Sequence, residues 1–133
     1  MDNVKKRSVG ILAGGKGSRM DDHRPKAMVE VKGRPIIAHQ LDIFLPQVSH
    51  IVLSLGHEAE KIVQFVREKY SDYPIDFAIE NKPIGTAGGI KKAARLIESE
   101  MMYVVNCDDI TDISLQALET TANGENTICV AHP

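Results

Sequence analysis

The chain has 133 residues, 43% hydrophobic and 26% charged, with a formal net charge of -2, aromatics at 5% and no Trp. That profile fits one globular domain with a real core, and it excludes the basic field or the stacking platforms a nucleic-acid binder needs. No apolar run approaches the ~18 residues of a membrane span, 'MDNVKKRS' has no apolar export region behind it, and Cys107 and Cys129 form no metal-like or redox-like pair, so the expected location is cytoplasmic.

In chain order, 'SVGILA' (8–13) is a β-branched and apolar run closed by Gly14, which predicts a buried strand. 'AMVEV' predicts a short extended piece turning at Lys32-Gly33-Arg34, and Pro35 suits the first turn of a helix over 'PIIAHQLDIFL' that Pro46 ends. 'HIVLSL' predicts a second strand stopped by Gly56. 'EAEKIVQFVREKY' predicts a helix with acids first and cations last, its apolar stripe being Ile62, Val63, Phe65, Val66 and Tyr70. 'IDFAIE' predicts a third strand, and 'NKPIGTAGG' a loop in which Thr86 caps a helix over 'IKKAARLIES'. 'MMYVVN' predicts a fourth strand, 'DISLQALETTAN' a helix closed by Gly124, and 'TICVA' a fifth strand. No repeat, low-complexity segment or linker interrupts this pattern, so residues 1–133 are expected to form one unit.

Alternating strands and helices predict a three-layer α/β/α, doubly wound, mainly parallel sheet with right-handed crossovers. On that frame residues 14–26, 80–86 and 107–109 follow the first, third and fourth strands. All fall beyond strand carboxyl ends, where open α/β sheets bind ligands.

Gly14, Gly15 and Gly17 are expected to allow positive φ and to let backbone N–H groups approach a ligand closely. With Arg19 and Lys26 they suit a triphosphate; the competing account is a glycine turn with solvated cations. Two familiar phosphate loops fail here. In the G-x-x-x-x-G-K-[ST] pattern starting at Gly10, Gly17 occupies the hydroxyl position, and Gly10 lies inside the strand. The G-x-G-x-x-G fingerprint finds Met20 where its last glycine belongs, which disfavours a nicotinamide-dependent oxidoreductase.

'LAGGKGSRM', four residues, then 'PKAM', with 'KGRPII' shortly after, resembles the signature of the sugar-1-phosphate nucleotidyltransferases, commonly written L-A-G-G-x-G-[ST]-R-[LM]…P-K. 'ENKPIGTAGGI' resembles their base-binding segment, and 'VVNCDD' the strand end that is usually N-G-D. The short gap before Pro25 is similar to the uridylyl- and cytidylyl-transferase branches, whereas 'IGTAGGI' is more similar to the mannose- and heptose-phosphate guanylyltransferases. The resemblance implies a Rossmann-like nucleotidyltransferase fold and the reaction of a nucleoside triphosphate with a sugar 1-phosphate to give an NDP-sugar and pyrophosphate.

It also implies roles. Leu12, Ala13, Gly14, Gly15 and Gly17 would hold the nucleotide, Arg19 the leaving pyrophosphate, and Lys26 the α-phosphate and incoming sugar phosphate. Gly85 and Thr86 would line base and ribose, and Asp108 would bind Mg²⁺, with Asp109 second in rank. The Asp108-Asp109 pair read alone also suits a cap or turn. Glu80 stands where the base edge is read; a carboxylate only accepts hydrogen bonds, so it suits guanine, with adjacent N1–H and N2–H₂ donors, and thus GTP. Read alone, it also suits a solvated strand end. Cys107 departs from the family glycine and is expected to be a small buried hydrophobe. The histidines show no ligand spacing, Lys91 and Lys92 read as a solvated face, and Met101 and Met102 as strand packing.

The resemblance covers nearly the whole chain but only about the first half of a usual family catalytic domain, short of a second metal-binding aspartate and most of the sugar pocket. Two function classes follow: a guanylyltransferase represented by its nucleotide-binding half, and a non-catalytic nucleotide-binding module. An edge or apolar patch bared by absent later strands would invite a homodimer.

Overall fold

β1 (Arg7–Leu12) leaves a single 3-10 turn at Val4–Lys6 and forms the centre of the molecule, a computed structural model that describes residues 4–15, 24–82 and 84–128. A 3-10 turn at Lys26–Met28 precedes a small antiparallel ribbon of β2 (Glu30–Val31) and β3 (Arg34–Pro35). Lys32 and Gly33 take φ of 52° and 78° there, a left-handed pair that a two-residue hairpin turn requires. The ribbon feeds α1 (Ile36–Phe44), which starts one residue after Pro35 rather than at it, Pro35 being extended and holding the N-cap position, and Pro46 falls in a 3-10 turn at Leu45–Gln47 that ends the rod. Then follow β4 (His50–Leu55), α2 (Ala59–Lys69), β5 (Ile75–Ile79), α3 (Gly85–Ala94), β6 (Met101–Asn106) and α4 (Leu115–Ala122).

The main sheet has the order β5-β4-β1-β6, and every pairing in it is parallel. From β1 the chain steps outward to β4 and β5, then crosses to the other side of β1 with β6. The strand order therefore reverses between β1 and β6, and the diverging connections open a crevice above their carboxyl ends.

Helices cover both faces, as a buried parallel sheet demands. On one face Ile37, Leu41 and Phe44 of α1, Ile62 and Val66 of α2, and Leu115 of α4 pack on Val9, Ile11, Ile51, Leu53 and Leu55. On the other, Ala93 of α3 meets Val52 and Ala78. Each fully buried Leu, Ile or Phe stabilises by roughly 1.5–3 kcal/mol, so the first face supplies most of the core. The expected stripe on α2 holds: Ile62 and Val66 are buried, with Val63, Phe65 and Tyr70 packed against them. The three-layer, parallel α/β expectation holds as well.

One polar group is built into the base of the sheet. Arg7 is fully buried; its guanidinium donates to both carboxylate oxygens of Glu119 on α4 and to the Gln47 carbonyl at 3.2 Å. The Tyr103 hydroxyl donates to the same carboxylate at 2.7 Å. This network ties the last described helix to the first strand.

Four expectations are corrected. Thr86 is no N-cap: α3 begins at Gly85 after Ile84, and no side chain caps it. The helix ends at Ala94, short of 'IES'. Glycines at 88 and 89 mask the helix in sequence, yet they let it lie close to Ile84, Glu80 and Ser54, so packing overrides propensity. α4 starts at Leu115 rather than Asp112, because Ser114 accepts from the Ala117 N–H and sets the true N-cap; Asn123 (φ 50°) and Gly124 (φ 84°) end it as expected. In 'TICVA', Thr127 and Ile128 are irregular, and residues 129–131 lie outside the described residues. No described helix is long and apolar enough to cross a membrane.

Candidate functional site

Above the crevice lies a cleft of about 770 Å³, within the usual range of small-molecule sites. Each parallel strand delivers residues at or just past its carboxyl end to it: Leu12, Gly14 and Gly15 from β1, Ser54, Gly56 and His57 from β4, and Glu80, Asn81 and Lys82 from β5. Gly85, Thr86 and Gly89 of α3 form one wall, and Asn106 to Asp108 after β6, with Lys26, form another.

Gly14 and Gly56 explain the shape of the floor. A Cβ on Gly56 would sit 3.3 Å from the Gly14 carbonyl oxygen, and one on Gly14 would sit 3.4 Å from the Gly56 nitrogen. Two backbones cross in contact, and a Cβ would be tight at Gly56 but in ordinary contact at Gly14. Neither Gly14 nor Gly15 takes positive φ, which corrects the conformational argument made from sequence. Among the described residues, nothing lies within 4 Å of a Cβ built on Gly15.

The Ala13 side chain is buried, and its N–H is committed to the Ser54 carbonyl at 2.8 Å. Gly17 and Arg19 lie outside the described residues.

Glu80 continues the edge of β5 by donating its N–H to the Leu55 carbonyl at 2.8 Å, and its carboxylate turns toward α3. Ser54 Oγ donates to Glu80 Oε1 at 3.4 Å, and that oxygen occupies the space a Cβ on Gly89 would enter, 2.9 Å away. The carboxylate is thus seated over a helix glycine inside the cleft.

Lys26 follows Pro25, whose fixed φ of -57° sets the start of the 3-10 turn. Its Nζ lies 2.6 Å from Asp108 Oδ2, and both side chains are about half exposed. The ammonium holds the Asp108 carboxyl below its ordinary range, outweighing a small opposing effect of burial. Cys107 is 4% exposed and points into the core, where burial pushes its thiol up to about 11. Asp109 closes the turn instead, its N–H bonding the Asn106 carbonyl at 3.2 Å and its carboxylate meeting Asn106 Nδ2 at 3.4 Å.

Among the described residues no group of three or more His, Cys, Asp and Glu side chains could cage a metal. A cation at Asp108 would complete its shell with oxygens brought by a ligand, which suits the habit of Mg²⁺.

The chain matches the MobA-like NTP transferase domain over residues 9–133. It belongs to that family. This MobA-like domain is 33% identical over 129 residues to a mannose-1-phosphate guanyltransferase of Debaryomyces hansenii, covering 89% of the chain and 36% of that protein. It is 29% identical over 125 residues to a D-glycero-alpha-D-manno-heptose 1-phosphate guanylyltransferase of Campylobacter jejuni, covering 91% of the chain and 55% of that protein. Its fold is similar to the crystal structure of HddC from Yersinia pseudotuberculosis complexed with GMP-PN, with a TM-score of 0.75 and 32% identity over 88% of this chain and 54% of that one. The MobA-like domain therefore spans about a third to a half of these relatives, and it is of the sugar-phosphate nucleotidyltransferase family that its glycine loop and 'VVNCDD' resemble.

Sequence motifs found Leu12, Gly14, Gly15, Lys26, Glu80, Gly85, Thr86 and Asp108, which meet in one cleft. They gave no signal for Ser54 or His57, and they include Asn81, Lys82 and Gly89 only as members of 'ENKPIGTAGGI' with no role of their own. The signal for most of these was position: they stand at or just past a strand's carboxyl end, whatever their chemistry.

Proposed function

We propose that this MobA-like domain binds a nucleoside triphosphate, GTP by preference, and serves a transfer in which a sugar 1-phosphate receives the nucleoside monophosphate. An oxygen of the sugar phosphate attacks the α-phosphorus and a P–O bond forms there. The bond to the oxygen bridging to the β-phosphate breaks, and pyrophosphate leaves with its electron pair. A phosphate monoester, with a second pKa of about 6, is already largely ionised near neutrality. No side chain need remove a proton, and the protein's task is positioning and charge neutralisation.

The observation that carries the guanine preference is Glu80, an acceptor-only group on the wall of the cleft that also holds Asp108. Guanine offers two adjacent donors to such a group, and uracil or thymine a single one. The names of the relatives, guanylyltransferases among them, support the same choice. In this proposal the backbone at Leu12, Gly14 and Gly15 faces the phosphates, Gly85 and Thr86 flank base and ribose, and Lys26 reaches the α-phosphate and the sugar phosphate. Gly17 and Arg19 keep the roles their motif implies, Arg19 on the pyrophosphate. Asp108 would hold Mg²⁺ together with phosphate oxygens, and the ion would neutralise charge on the triphosphate.

Calorimetry with GTP, ITP, UTP, CTP and ATP tests the proposal. GTP should bind tightest, and ITP, which lacks the N2 amino group, should bind about 1–3 kcal/mol more weakly. Glu80→Gln should narrow that gap; UTP binding equal to or better than GTP removes the guanine assignment. A second reading is a module that holds the triphosphate without transferring it. Pyrophosphate release from GTP and a sugar 1-phosphate separates the two.

A further inference from the structure

Gln40 lies near the middle of α1 and is fully buried. Its amide nitrogen faces three main-chain carbonyls of one short loop: Asn106 O at 3.2 Å, Cys107 O at 3.2 Å and Asp109 O at 2.7 Å. These residues bracket Asp108 on both sides. The amide oxygen, Oε1, is buried without a hydrogen-bond partner among the described residues. An amide orphaned at one end is held in the less comfortable orientation for a reason. Turning it over would set an acceptor against three acceptors, so the loop dictates the orientation.

Few other contacts hold that loop. The Cys107 N–H reaches the Leu12 carbonyl at 3.1 Å, and the Asp109 N–H closes the turn on Asn106. The Cys107 side chain drops into the core on the α1 side, while Asp108 turns up to Lys26. Gln40 works from beneath: it draws three carbonyl oxygens down toward the helix and leaves the carboxylate as the part of the loop that faces the cleft. A cation bound through one protein carboxylate depends on where that carboxylate stands, because among the described residues no cluster of three or more His, Cys, Asp and Glu side chains shares the load.

We propose that Gln40 is a positioning residue for the Asp108 carboxylate, fastening the turn after β6 to α1 so that the carboxylate is presented, and the main-chain oxygens are withheld, at the cation position. This rests on the role given to Asp108 above. Partners that orient a ligand from behind typically change metal affinity by 10–100-fold when removed.

The test is GTP binding by the full chain with EDTA and across a MgCl₂ titration, alongside thermal melts. Gln40→Met keeps the volume and deletes the donors. It should bind GTP as the parent does in EDTA, while the gain in affinity on adding Mg²⁺ shrinks roughly tenfold or more. It should also narrow the preference for Mg²⁺ over Ca²⁺, since Ca²⁺ accepts the freed carbonyl oxygens more readily. A lower melting temperature with an unchanged Mg²⁺-linked gain means a merely structural glutamine and overturns the inference. Should Gln40→Met not fold, Gln40→His, which keeps one N–H donor, carries the test: an intermediate loss supports the proposal and an undiminished gain ends it. Asp108→Asn is the control. If it keeps the full gain, the role of Asp108 itself is wrong; if it loses the gain and the Gln40 variants do not, only the present inference fails.

Discussion

Lys26 Nζ and Asp108 Oδ2 stand 2.6 Å apart, joining the 3-10 turn that follows Pro25 to the end of β6 across the mouth of the cleft. The two groups assigned to phosphate and to cation are thus each other's counter-ion, and the carboxylate is held ionised by the lysine. A triphosphate entering without metal must take the ammonium from the carboxylate and sit beside it. Asp108→Asn is therefore expected to tighten GTP binding in EDTA while abolishing the gain from Mg²⁺. Lys26→Ala should weaken GTP binding by about 1.5–3 kcal/mol, the usual contribution of a hydrogen bond to a charged group. Calorimetry of both variants decides the matter; weaker metal-free binding by Asp108→Asn would count against a shared site.

The glycines of the floor separate packing from ligand space. Gly56→Ala sets a methyl 3.3 Å from a backbone oxygen that has no rotamer to escape into. A loss of about 1–3 kcal/mol in chemical denaturation is expected, as for other overpacking changes. Gly15→Ala meets nothing within 4 Å among the described residues, so the melting temperature should stay put while GTP binding falls. Full binding by a stable Gly15→Ala protein would take Gly15 out of the phosphate site.

Glu119→Gln removes the charge opposite a guanidinium that is wholly buried. Breaking a buried pair from one side typically costs 3–5 kcal/mol, and a loss on the order of 3 kcal/mol should appear in urea denaturation with no change in nucleotide selectivity. A change in base preference would mean the network reaches the cleft after all.

Alkaline stability should follow Tyr103. Burial, with the hydrogen bond to Glu119, pushes its hydroxyl up to about 12 from an ordinary 10. The fold therefore favours the protonated phenol. Its contribution is complete below pH 10 and is lost as pH climbs from 10 toward 12. Melting temperatures of the parent should drop across that window more steeply than those of Tyr103→Phe, and parallel curves would show that the hydroxyl contributes nothing there.

Cys107 should behave as a core residue. With its thiol pushed up to about 11 and its surface 4% exposed, little thiolate forms at pH 8. Iodoacetamide labelling followed by peptide mass mapping should find Cys107 protected in the native protein and modified in urea. Fast native labelling would mean that the turn after β6 opens far more readily than its hydrogen bonds suggest.

Much of this molecule was legible in one dimension because the relevant signals are local. 'HIVLSL' and 'MMYVVN' match β4 and β6 residue for residue, since strands of a helix-covered parallel sheet read as near-continuous apolar runs, even at β6, which edges the described sheet and leaves Val104 exposed. Helix α3 was misread at both ends for the opposite reason: 'GTAGG' contradicts helix propensity, and only its packing against Glu80 and Ser54 accounts for it. The motif alone does not reveal that the Ala13 side chain is buried in the core.

The sequence by itself determined the alternation of strand and helix, the family, and the placing of glycine, acid and lysine at strand ends, all of which lie in periodicity and short motifs. Tertiary structure alone decided which distant residues meet. Gly14 crosses Gly56, Arg7 finds Glu119 across 112 positions, and Gln40 reaches the turn around Asp108 across 66 to 69. Such meetings depend on where right-handed crossovers set each strand in the sheet. No local pattern encodes that order, because side-by-side pairing is settled only when the whole core closes.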